Sequence, residues 1–329
     1  MTKDEIIHHL AHTPLTQLLQ QADQVRKKEV GDEVHIRGII EFSNYCCRSC
    51  LYCGLRKENK NISRYRMSPE EIVQLALDIA RQGVKTIVLQ SGDDFAYSAQ
   101  TIATIIEQIK QKADVAITLS LGERNFKDFE LWKKVGADRY LMKHETADPN
   151  LYARLHPGKT LTERLKAISV LKTLNYEIGL GCIVGLPGQT LDTLAEDILL
   201  IKQFEADMAG IGPFIPQKDT PLKDHPPGDL ELTLKVLSLV RITNQTIHLP
   251  VTTALATLDP EQGQLLALGA GANVIMPNFT PQRYEKNYNI YNNKAKVTLA
   301  LTKNLIKRAG RKSGQGKGGS LKCKKLPKD

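Results

Sequence analysis

The sequence predicts an α/β protein, a complete (β/α)8 barrel of the TIM type, and three observations lead to this fold class. Eight short runs rich in β-branched and apolar residues alternate with longer segments of helical periodicity over residues 34–309. The connections between them are short, as in strand–helix–strand units that build a parallel sheet. The segment also has the usual size of one such barrel, about 250 residues or somewhat more.

Each predicted element follows from its own pattern. The predicted strands are 34–42, 85–92, 115–122, 139–145, 176–185, 208–215, 249–254 and 272–278. The predicted helices are 69–82, 100–112, 126–135, 161–174, 191–205, 231–243, 260–268 and 295–309. The first helix has clear start signals, because Ser68 is a good N-cap, Pro69 suits the first helical position and Glu71 completes a capping box.

The two ends of the chain differ from this repeating middle. Residues 1–33 have helical periodicity and are expected to form an N-terminal extension that covers the base of the barrel. Residues 310–329 contain five glycines and almost no apolar side chains, which predicts a flexible basic tail. The barrel is assigned to residues 34–309, and no second domain is expected.

The net charge of +9 is confined to the C-terminal part of the sequence. Residues 303–329 hold ten basic side chains and one acidic one, whereas residues 1–302 hold 35 of each sign. A balanced barrel lacks the basic surface of a nucleic-acid-binding protein. The sequence has no apolar run of membrane-spanning length and no signal peptide, so a cytoplasmic location without membrane contact is expected.

Four cysteines, Cys46, Cys47, Cys50 and Cys53, lie within eight residues after the first predicted strand. In a reducing compartment such crowding argues for a metal before a disulfide. A structural zinc site needs four protein ligands, but the sequence has no second Cys-x-x-Cys pair and no nearby histidine. Three thiolates from one loop would leave one iron of an iron–sulfur cluster open to a small molecule. The spacing alone allows either Cys46 or Cys47 as the first ligand.

Polar and glycine-rich residues also follow other predicted strands. They occur at 90–92, 143–145, 185–188 and 252–253. The active sites of (β/α)8 barrels form at the C-terminal ends of the strands. The sequence therefore predicts one site that combines these residues with the cysteines.

The spacing of Cys46, Cys50 and Cys53, with the aromatic Tyr52 before the last cysteine, resembles the signature of radical S-adenosylmethionine (SAM) enzymes. The resemblance favours these three cysteines as ligands. It implies two cofactors, a [4Fe–4S] cluster and SAM, with the amino and carboxylate groups of SAM on the open iron. In that superfamily an electron from the cluster cleaves SAM to a 5′-deoxyadenosyl radical.

Further segments resemble one family within the biotin-synthase-like group, the HydE maturases of [FeFe]-hydrogenase. They are FSNYCCRSCLYCGLRKENKNISRYRMSPEEI, IVLQSGDD, LSLGE, ADRYLMKHETADP, VGLPGQT, GIGPFIPQKDTPL, VTTA and NVIMPNFTP. The resemblance runs from about Val34 to Lys312. It implies that the radical acts on a small sulfur-containing substrate, an iron-bound cysteine-like compound, during assembly of the hydrogenase H-cluster.

The resemblance also implies the residues that contact SAM and the cluster. Besides the three cysteines they are Tyr52, Ser91, Gly92, Asp93, Glu145, Arg164, Gly185, Met276, Tyr288 and Tyr291. Glu145 would accept the ribose hydroxyls and Arg164 would hold the SAM carboxylate, roles that suit a carboxylate and a guanidinium. Gly92 would let the backbone approach the SAM amino group closely.

The substrate is expected inside the mouth of the barrel. The matching positions are Arg37, Gln90, Thr118, Lys143, Thr252, Thr253 and Ala254. The family usually has arginine where this chain has Lys143. An arginine binds a carboxylate through two hydrogen bonds, whereas a lysine offers a single compact charge, so substrate affinity is expected to change. No catalytic residue beyond the cluster and SAM is assigned.

Structural roles stay open for several of these residues. The alternatives are an ion pair of Arg37 with Glu41, and packing roles for Tyr288, Tyr291, Thr252 and Thr253. Cys182 is expected to be a small core residue and His144 to orient a neighbour.

Two other functions are compatible with the sequence. Another biotin-synthase-like enzyme, such as a methylornithine synthase, would use the same SAM site, and a metal-stabilised binding protein would use the basic tail to hold RNA or an acidic partner. Biotin synthase itself is disfavoured, because Gly179 stands where one ligand of its second cluster would fall. For the maturase, the expected partners are the small-molecule substrate, a low-potential electron donor and other hydrogenase maturases.

Overall fold

Each of the eight predicted strand runs contains at least one strand in the computed structural model, which describes residues 1–322. The strands are β1 (Glu33–Ile36), β2 (Gly38–Ser43), β3 (Thr86–Ser91), β4 (Ala116–Ser120), β5 (Arg139–Leu141), β6 (Glu177–Leu180), β7 (Ile183–Val184), β8 (Met208–Ala209), β9 (Gly212–Pro213), β10 (Pro250–Val251), β11 (Val274–Ile275) and β12 (Lys312–Ser313). The helices are α1 (Lys3–His12), α2 (Leu15–Glu29), α3 (Pro69–Arg81), α4 (Ala99–Lys112), α5 (Phe126–Lys134), α6 (Pro149–Leu155), α7 (Leu161–Thr173), α8 (Leu191–Gln203), α9 (Leu230–Thr243), α10 (Thr253–Leu258), α11 (Gly263–Gly269), α12 (Gln282–Glu285) and α13 (Leu299–Arg308). Residues 323–329, the end of the predicted tail, lie outside the described residues.

The strands form two main parallel sheets in a TIM-like arrangement. The first has the order β2–β3–β4–β5–β6–β8, with helices in the connections, and the second has the order β10–β11–β1–β12. Single parallel bridges link the two sheets, between Met208 and His248 and between Ile39 and Asn278. All C-terminal ends of the parallel strands within a sheet therefore point the same way.

Helix α3 shows how the sequence sets these elements. Ser68 Oγ accepts a hydrogen bond from the Glu71 N–H at 3.2 Å, and a Glu71 carboxylate oxygen accepts one from the Ser68 N–H at 2.9 Å. This reciprocal capping box starts the helix where it was predicted. Ile72, Ala76 and Ile79 form its fully buried face, which packs toward β2 and β3.

Two predicted strands are interrupted by a close contact between glycines. Gly181, between β6 and β7, has φ +147°, and a Cβ there would lie 2.1 Å from the carbonyl oxygen of Gly210. Only glycine permits this approach. The chain therefore bends after β6 and β8, and β7 pairs with β9 as a separate ladder.

The N-terminal extension is helical, as predicted, and packs mainly against the outer helices. Helix α1 packs against α8, and α2 packs against α9 and α11. The apolar side chains of the extension, including Ile6, Leu10 and Leu18, are buried in these contacts. The extension also reaches the N-terminal ends of the strands, because a Cβ on Gly271, just before β11, would lie 3.3 Å from the Ala22 carbonyl oxygen. No helix among residues 1–322 has the length and apolar character needed to span a bilayer.

Residues 312–320, called here the C-terminal plug, also cover the base. Strand β12 pairs in parallel with β1. The carbonyl oxygens of residues 317–319 then accept hydrogen bonds from Arg139, Arg37 and His248 at 2.9, 3.2 and 2.9 Å. The prediction of a flexible tail is wrong for the plug, because its glycine-rich backbone supplies acceptors for three buried side chains.

Candidate active site

A cavity of about 380 Å³ opens at the C-terminal ends of the strands. Gln90 at the end of β3, Ser120 at the end of β4 and Leu141 at the end of β5 line its wall. Residues 286–298, which join α12 to α13 without helix or strand, supply the opposite wall and are called here the strap. The cavity therefore occupies the position where enzymes with this arrangement of strands carry their chemistry.

The cysteine loop, residues 44–58, lies between the end of β3 and the strap. The Cys47 N–H donates to the Asp93 carbonyl at 3.1 Å, and the Gly54 N–H donates to the Ile290 carbonyl at 2.9 Å. A Cβ on Gly92 would lie 2.3 Å from the Tyr45 carbonyl oxygen, so the loop rests directly on this glycine. A glycine at this position is what the close packing requires.

Cys46, Cys50 and Cys53 line the cavity, whereas Cys47 is exposed and lies outside the lining. Burial raises the pKa of Cys46 to about 12 and that of Cys53 to about 11, and it also raises the pKa of Cys50. Thiols in such surroundings ionise readily only next to a cation. Three converging cysteine sulfurs suit a four-iron cluster in which three irons each have a protein ligand and the fourth iron has none.

Asp93 has a fixed orientation next to these cysteines. Arg48 Nε donates to an Asp93 carboxylate oxygen at 2.6 Å, and Arg48 also lies 3.2 Å from Glu123. A Cβ on Gly122, which has φ +72°, would lie 1.7 Å from the other Asp93 carboxylate oxygen. The Asp93 carboxylate is thus held between a guanidinium and a glycine at the cavity wall.

Glu145 has a backbone conformation that is rare for a residue with a side chain, with φ +68°. Hydrogen bonds of 3.0 Å to the Gly181 carbonyl and from the Ile183 N–H hold it there. Burial acts to raise the pKa of Glu145, but nearby cations, Lys143 first among them, outweigh burial and lower this pKa. The Lys143 ammonium lies 3.1 Å from the carboxylate, so the site holds Glu145 ionised and facing the cavity.

A network behind the cysteines positions Tyr52 and Arg164. The Tyr52 hydroxyl lies 2.8 Å from His156 Nε2, and His156 Nδ1 lies 2.9 Å from the Tyr152 carbonyl oxygen. Because a carbonyl can only accept, Nδ1 carries the proton and Nε2 accepts from Tyr52. Arg164 Nε donates to the Tyr152 hydroxyl and lies 3.0 Å from Glu123 as well. His156 and Tyr152 were not predicted as site residues, since neither lies in a recognisable motif.

The Glu41–Lys294 ion pair is another feature that the sequence analysis missed. Lys294 of the strap donates to Glu41 of β2, and Asn278 donates to the other Glu41 carboxylate oxygen at 2.9 Å. The Lys294 ammonium also lies 4.9 Å from the centre of the Tyr288 ring. The ion pair considered for Arg37 and Glu41 is wrong, because Arg37 turns toward the C-terminal plug.

His144 precedes Glu145 in the chain and is fully buried. Its Nδ1 accepts from the Gly181 N–H at 3.4 Å, so Nε2 donates to Asp197 at 3.1 Å. Cys182 is fully buried beside them. These contacts agree with the expectation that His144 orients its neighbours and that Cys182 fills the core.

The structure brings together all but three of the predicted site residues. Those in the cavity lining are Cys46, Cys50, Tyr52, Cys53, Gln90, Ser91, Gly92, Asp93, Lys143, Glu145, Arg164, Thr252, Thr253, Ala254, Met276, Tyr288 and Tyr291. Gly185 lies outside it, where a Cβ would meet Gly228. The predicted placement of Arg37 and Thr118 in the mouth is also wrong. Thr118 precedes Ser120 by two residues, which moves its side chain roughly 7 Å toward the base, and Arg37 contacts the plug.

Comparison with known proteins gives first the class of the protein and then its family. Residues 40–201 match the sequence model of the Radical SAM superfamily. The chain is 50% identical to the [FeFe] hydrogenase maturase subunit HydE of Thermotoga maritima over 92% of this chain and 88% of that protein. The chain therefore belongs to the HydE family of radical SAM enzymes, which use a [4Fe–4S] cluster and SAM.

More distant relatives share the fold. The 3-methylornithine synthase of Methanosarcina acetivorans is 27% identical over 79% of this chain and 74% of its own length. A crystal structure of a methylornithine synthase superposes with a TM-score of 0.85 at 24% identity, covering 95% of this chain and 94% of that one. At this identity the superposition supports the fold alone.

Proposed function

We propose that this chain is a hydrogenase maturase that uses a SAM-derived radical on a small sulfur-containing substrate, an iron-bound cysteine-like compound, in assembly of the [FeFe]-hydrogenase H-cluster. One observation carries the proposal. A single cavity joins three half-buried cysteines to the cation and the carboxylate expected to hold SAM, in a chain half identical to a relative named as this maturase.

Cys46, Cys50 and Cys53 are proposed as the cluster ligands, and Cys47 is excluded by its exposure. With both cofactors bound, the cluster and SAM would supply a 5′-deoxyadenosyl radical through one-electron cleavage of the sulfonium. Leu55 and Tyr288, both nearly fully buried, line the cavity close to the cysteines and exclude water from it.

The chain's own groups would orient SAM from several sides of the cavity. Arg164, anchored by Tyr152, would hold the carboxylate, and Ser91, Gly92 and Asp93 would receive the amino group. The Glu145 carboxylate would accept hydrogen bonds from both ribose hydroxyls, because it is ionised and faces the cavity. Tyr52, Met276, Tyr288 and Tyr291 would pack around the remaining parts of the cofactor.

Gln90, Lys143 and the Thr252–Ala254 segment are proposed to bind the substrate. They lie on the wall formed by β3, β5 and the start of α10. Lys143 would provide a single charge for a carboxylate, without the fork of an arginine. Arg37 and Thr118 do not belong to this proposed set, because they lie nearer the base.

The two sheets support a further proposal about architecture. The bridges at Met208–His248 and Ile39–Asn278 would close the eight strand positions into a complete (β/α)8 barrel. Residues 34–309 would form this barrel, with residues 1–33 as its extension. We place the reaction in the cytoplasm, where reducing conditions keep thiols available for iron, with an electron donor and other maturases as partners.

The direct test uses anaerobically reconstituted protein with dithionite and SAM. The proposal requires 5′-deoxyadenosine to form, and the gene should restore hydrogenase activity to a strain lacking HydE. If the protein instead made methylornithine from lysine and failed to restore the hydrogenase, it would be a methylornithine synthase.

A further inference from the structure

Two of the few exposed large apolar side chains lie beside the cysteine loop. Within residues 1–322, the large apolar side chains with the greatest exposure are Leu301, Phe95 and Phe126, at 58, 56 and 49%. Phe95 follows Asp93 by two residues, and Phe126 begins helix α5. Single exposed apolar residues are ordinary, but two aromatic rings next to one functional loop need an explanation.

Hydrogen bonds connect these rings to the cysteine loop. The Asp93 N–H lies 3.4 Å from Cys46 Sγ, and the Cys47 N–H donates to the Asp93 carbonyl. Arg124 then links the two aromatic segments, because it donates to the Asp94 carbonyl at 2.5 Å and stacks 4.2 Å from the centre of the Phe95 ring. The Phe95 ring is therefore held close to the outer side of the proposed cluster site, and Phe126 follows Arg124 by two residues in the chain.

The exposed charges around them are mainly positive. The exposed residues of segments 45–60, 93–98 and 122–127 form one surface, called here the carrier face: Cys47, Lys57, Glu58, Lys60, Phe95, Ala96, Ser98, Asn125, Phe126 and Lys127. It contains three lysines and one carboxylate. The carboxylates of Asp93 and Asp94 do not offset this excess, because they are paired with Arg48 and Arg66.

We propose that the carrier face docks a small acidic protein that carries a low-potential one-electron group. This inference rests on the proposed function, since a cluster that cleaves SAM must be reduced in every cycle. Electron transfer through protein weakens steeply with distance, so a carrier must dock where the cluster loop reaches the surface. In this step the carrier loses one electron and the cluster gains it, with no bond made or broken.

The composition of the carrier face suits such a partner. Aromatic side chains are enriched in protein interfaces and supply contact area with little loss of conformational freedom. Lysines around them attract an acidic carrier and raise its association rate, an effect that salt reduces. Complexes of electron carriers are small and short-lived, so two aromatic rings and three lysines are a sufficient surface.

The test uses reconstituted enzyme and a flavodoxin, an acidic flavin carrier whose absorbance reports its own oxidation. Phe95→Ser/Phe126→Ser is compared with Leu301→Ser, a matched change on the outer helix α13. We expect the double variant to bind flavodoxin about tenfold more weakly by calorimetry. Electron transfer from the flavodoxin hydroquinone should slow to a similar extent, while reduction by dithionite stays at the wild-type rate.

A second set of variants tests the charge. Lys57→Glu/Lys60→Glu/Lys127→Glu should lose most of the binding at low salt, and Lys303→Glu/Lys307→Glu/Arg308→Glu should keep it. The assignment is overturned if the carrier-face variants bind like wild type, if the α13 variants lose as much, or if dithionite reduction slows equally. The dithionite assay for 5′-deoxyadenosine tests the proposed function separately, because it needs no carrier.

Discussion

Cys46 and Cys47 are neighbours in the chain with opposite surroundings. Cys46 lines the cavity and lies within 3.4 Å of the Asp93 N–H, whereas Cys47 is exposed and holds the Asp93 carbonyl only through its own backbone N–H. The spacing of cysteines in the sequence fits either residue as a ligand. Packing of the loop on the end of β3 separates them, and spacing contains no information about that packing.

Removal of single cysteines tests this distinction. Cys50→Ala should lose the iron and the visible absorbance of the cluster, because two protein thiolates hold it poorly. Cys47→Ser should keep the wild-type iron content, measured per protein after anaerobic reconstitution. Loss of iron from Cys47→Ser with retention in Cys46→Ser would reverse the proposed ligand set.

Lys143 tests the proposed separation of substrate and cofactor sites. Lys143→Met should weaken the binding of L-cysteine, used as a probe in the presence of S-adenosylhomocysteine, about tenfold or more. Binding of S-adenosylhomocysteine alone should change by less. Lys143→Arg is the matched control and should retain L-cysteine binding. Equal losses of both ligands in Lys143→Met would contradict the placement of Lys143 in the substrate site.

The strap illustrates how an element without helix or strand is held in place. The Ile290 carbonyl accepts from Gly54, the Ala295 N–H donates to Thr257 at 2.9 Å, and Lys294 pairs with Glu41. These contacts reach the cysteine loop, helix α10 and strand β2. The strap thereby fixes Tyr288 and Tyr291 at the cavity.

The Glu41–Lys294 pair is expected to matter most for stability. Burial raises the pKa of Glu41, because the buried carboxylate has lost its hydration. Without Lys294 the ionised carboxylate would have no compensating charge, and the folded state would be less stable. Lys294→Met should lower the free energy of unfolding by about 3 kcal/mol, measured by urea unfolding of the apoprotein. Glu41→Gln combined with Lys294→Met should recover part of the loss. If the double variant were less stable than the single one, the pair would not act through the buried charge.

The predictability of the elements follows from where their stabilisation arises. Helix α3 was predicted to within one residue, since its capping box and apolar face are local patterns. The strap and the C-terminal plug have no such period, and their contacts reach residues more than two hundred positions away, such as Lys294 to Glu41. The same limit applies to the site. Residues of the sequence motifs, Gly185 excepted, were correctly predicted to line the cavity, but Glu41, Lys294 and His156 were missed because their contacts are with residues distant in the chain.

At the scale of the whole molecule, the two ends of the strands differ in function. The C-terminal ends carry the cavity, and the N-terminal ends are covered by the plug. The carbonyl oxygens of the plug accept hydrogen bonds from three buried side chains, those of Arg37, Arg139 and His248. The plug is therefore expected to contribute to the stability of the whole fold rather than to the chemistry of the cavity.

Truncation measures this contribution. A chain that ends at Gly310 lacks β12 and leaves three buried donors without their acceptors, which should cost about 3 kcal/mol or more in unfolding free energy. A chain that ends at Lys322 retains the described contacts and is the matched control. Thermal unfolding of both apoproteins gives the comparison. Equal stability of the two chains would show that the plug is not bound in solution.

His248 makes stability depend on pH. Its Nδ1 accepts from Asn273 and its Nε2 donates to the plug, and burial, with Arg37 nearby, lowers its pKa well below the ordinary value. The folded protein therefore keeps His248 neutral, while the unfolded chain binds a proton below about pH 6.5. Stability should fall as pH drops through about 6.5, by about 1.4 kcal/mol in total between pH 7.5 and 5.5 from this residue.

His248→Gln should remove this contribution, and His225→Gln, at an exposed histidine, is the matched control. Unfolding free energies measured between pH 7.5 and 5.5 give the slopes. The same slope in His248→Gln and wild type would show that another group is responsible.

The pairing of β12 with β1 also bears on how the chain is made. Strand β1 is made well before its partner β12, because every other strand of the two sheets lies between them in the chain. During synthesis the N-terminal ends of the strands thus stay without the plug until the ribosome has passed β12. The chain can begin to fold around β2 and β3, but the plug can bind only after all the strands that it contacts have been made. Closure of the base is in this sense the last step in assembly of the two sheets.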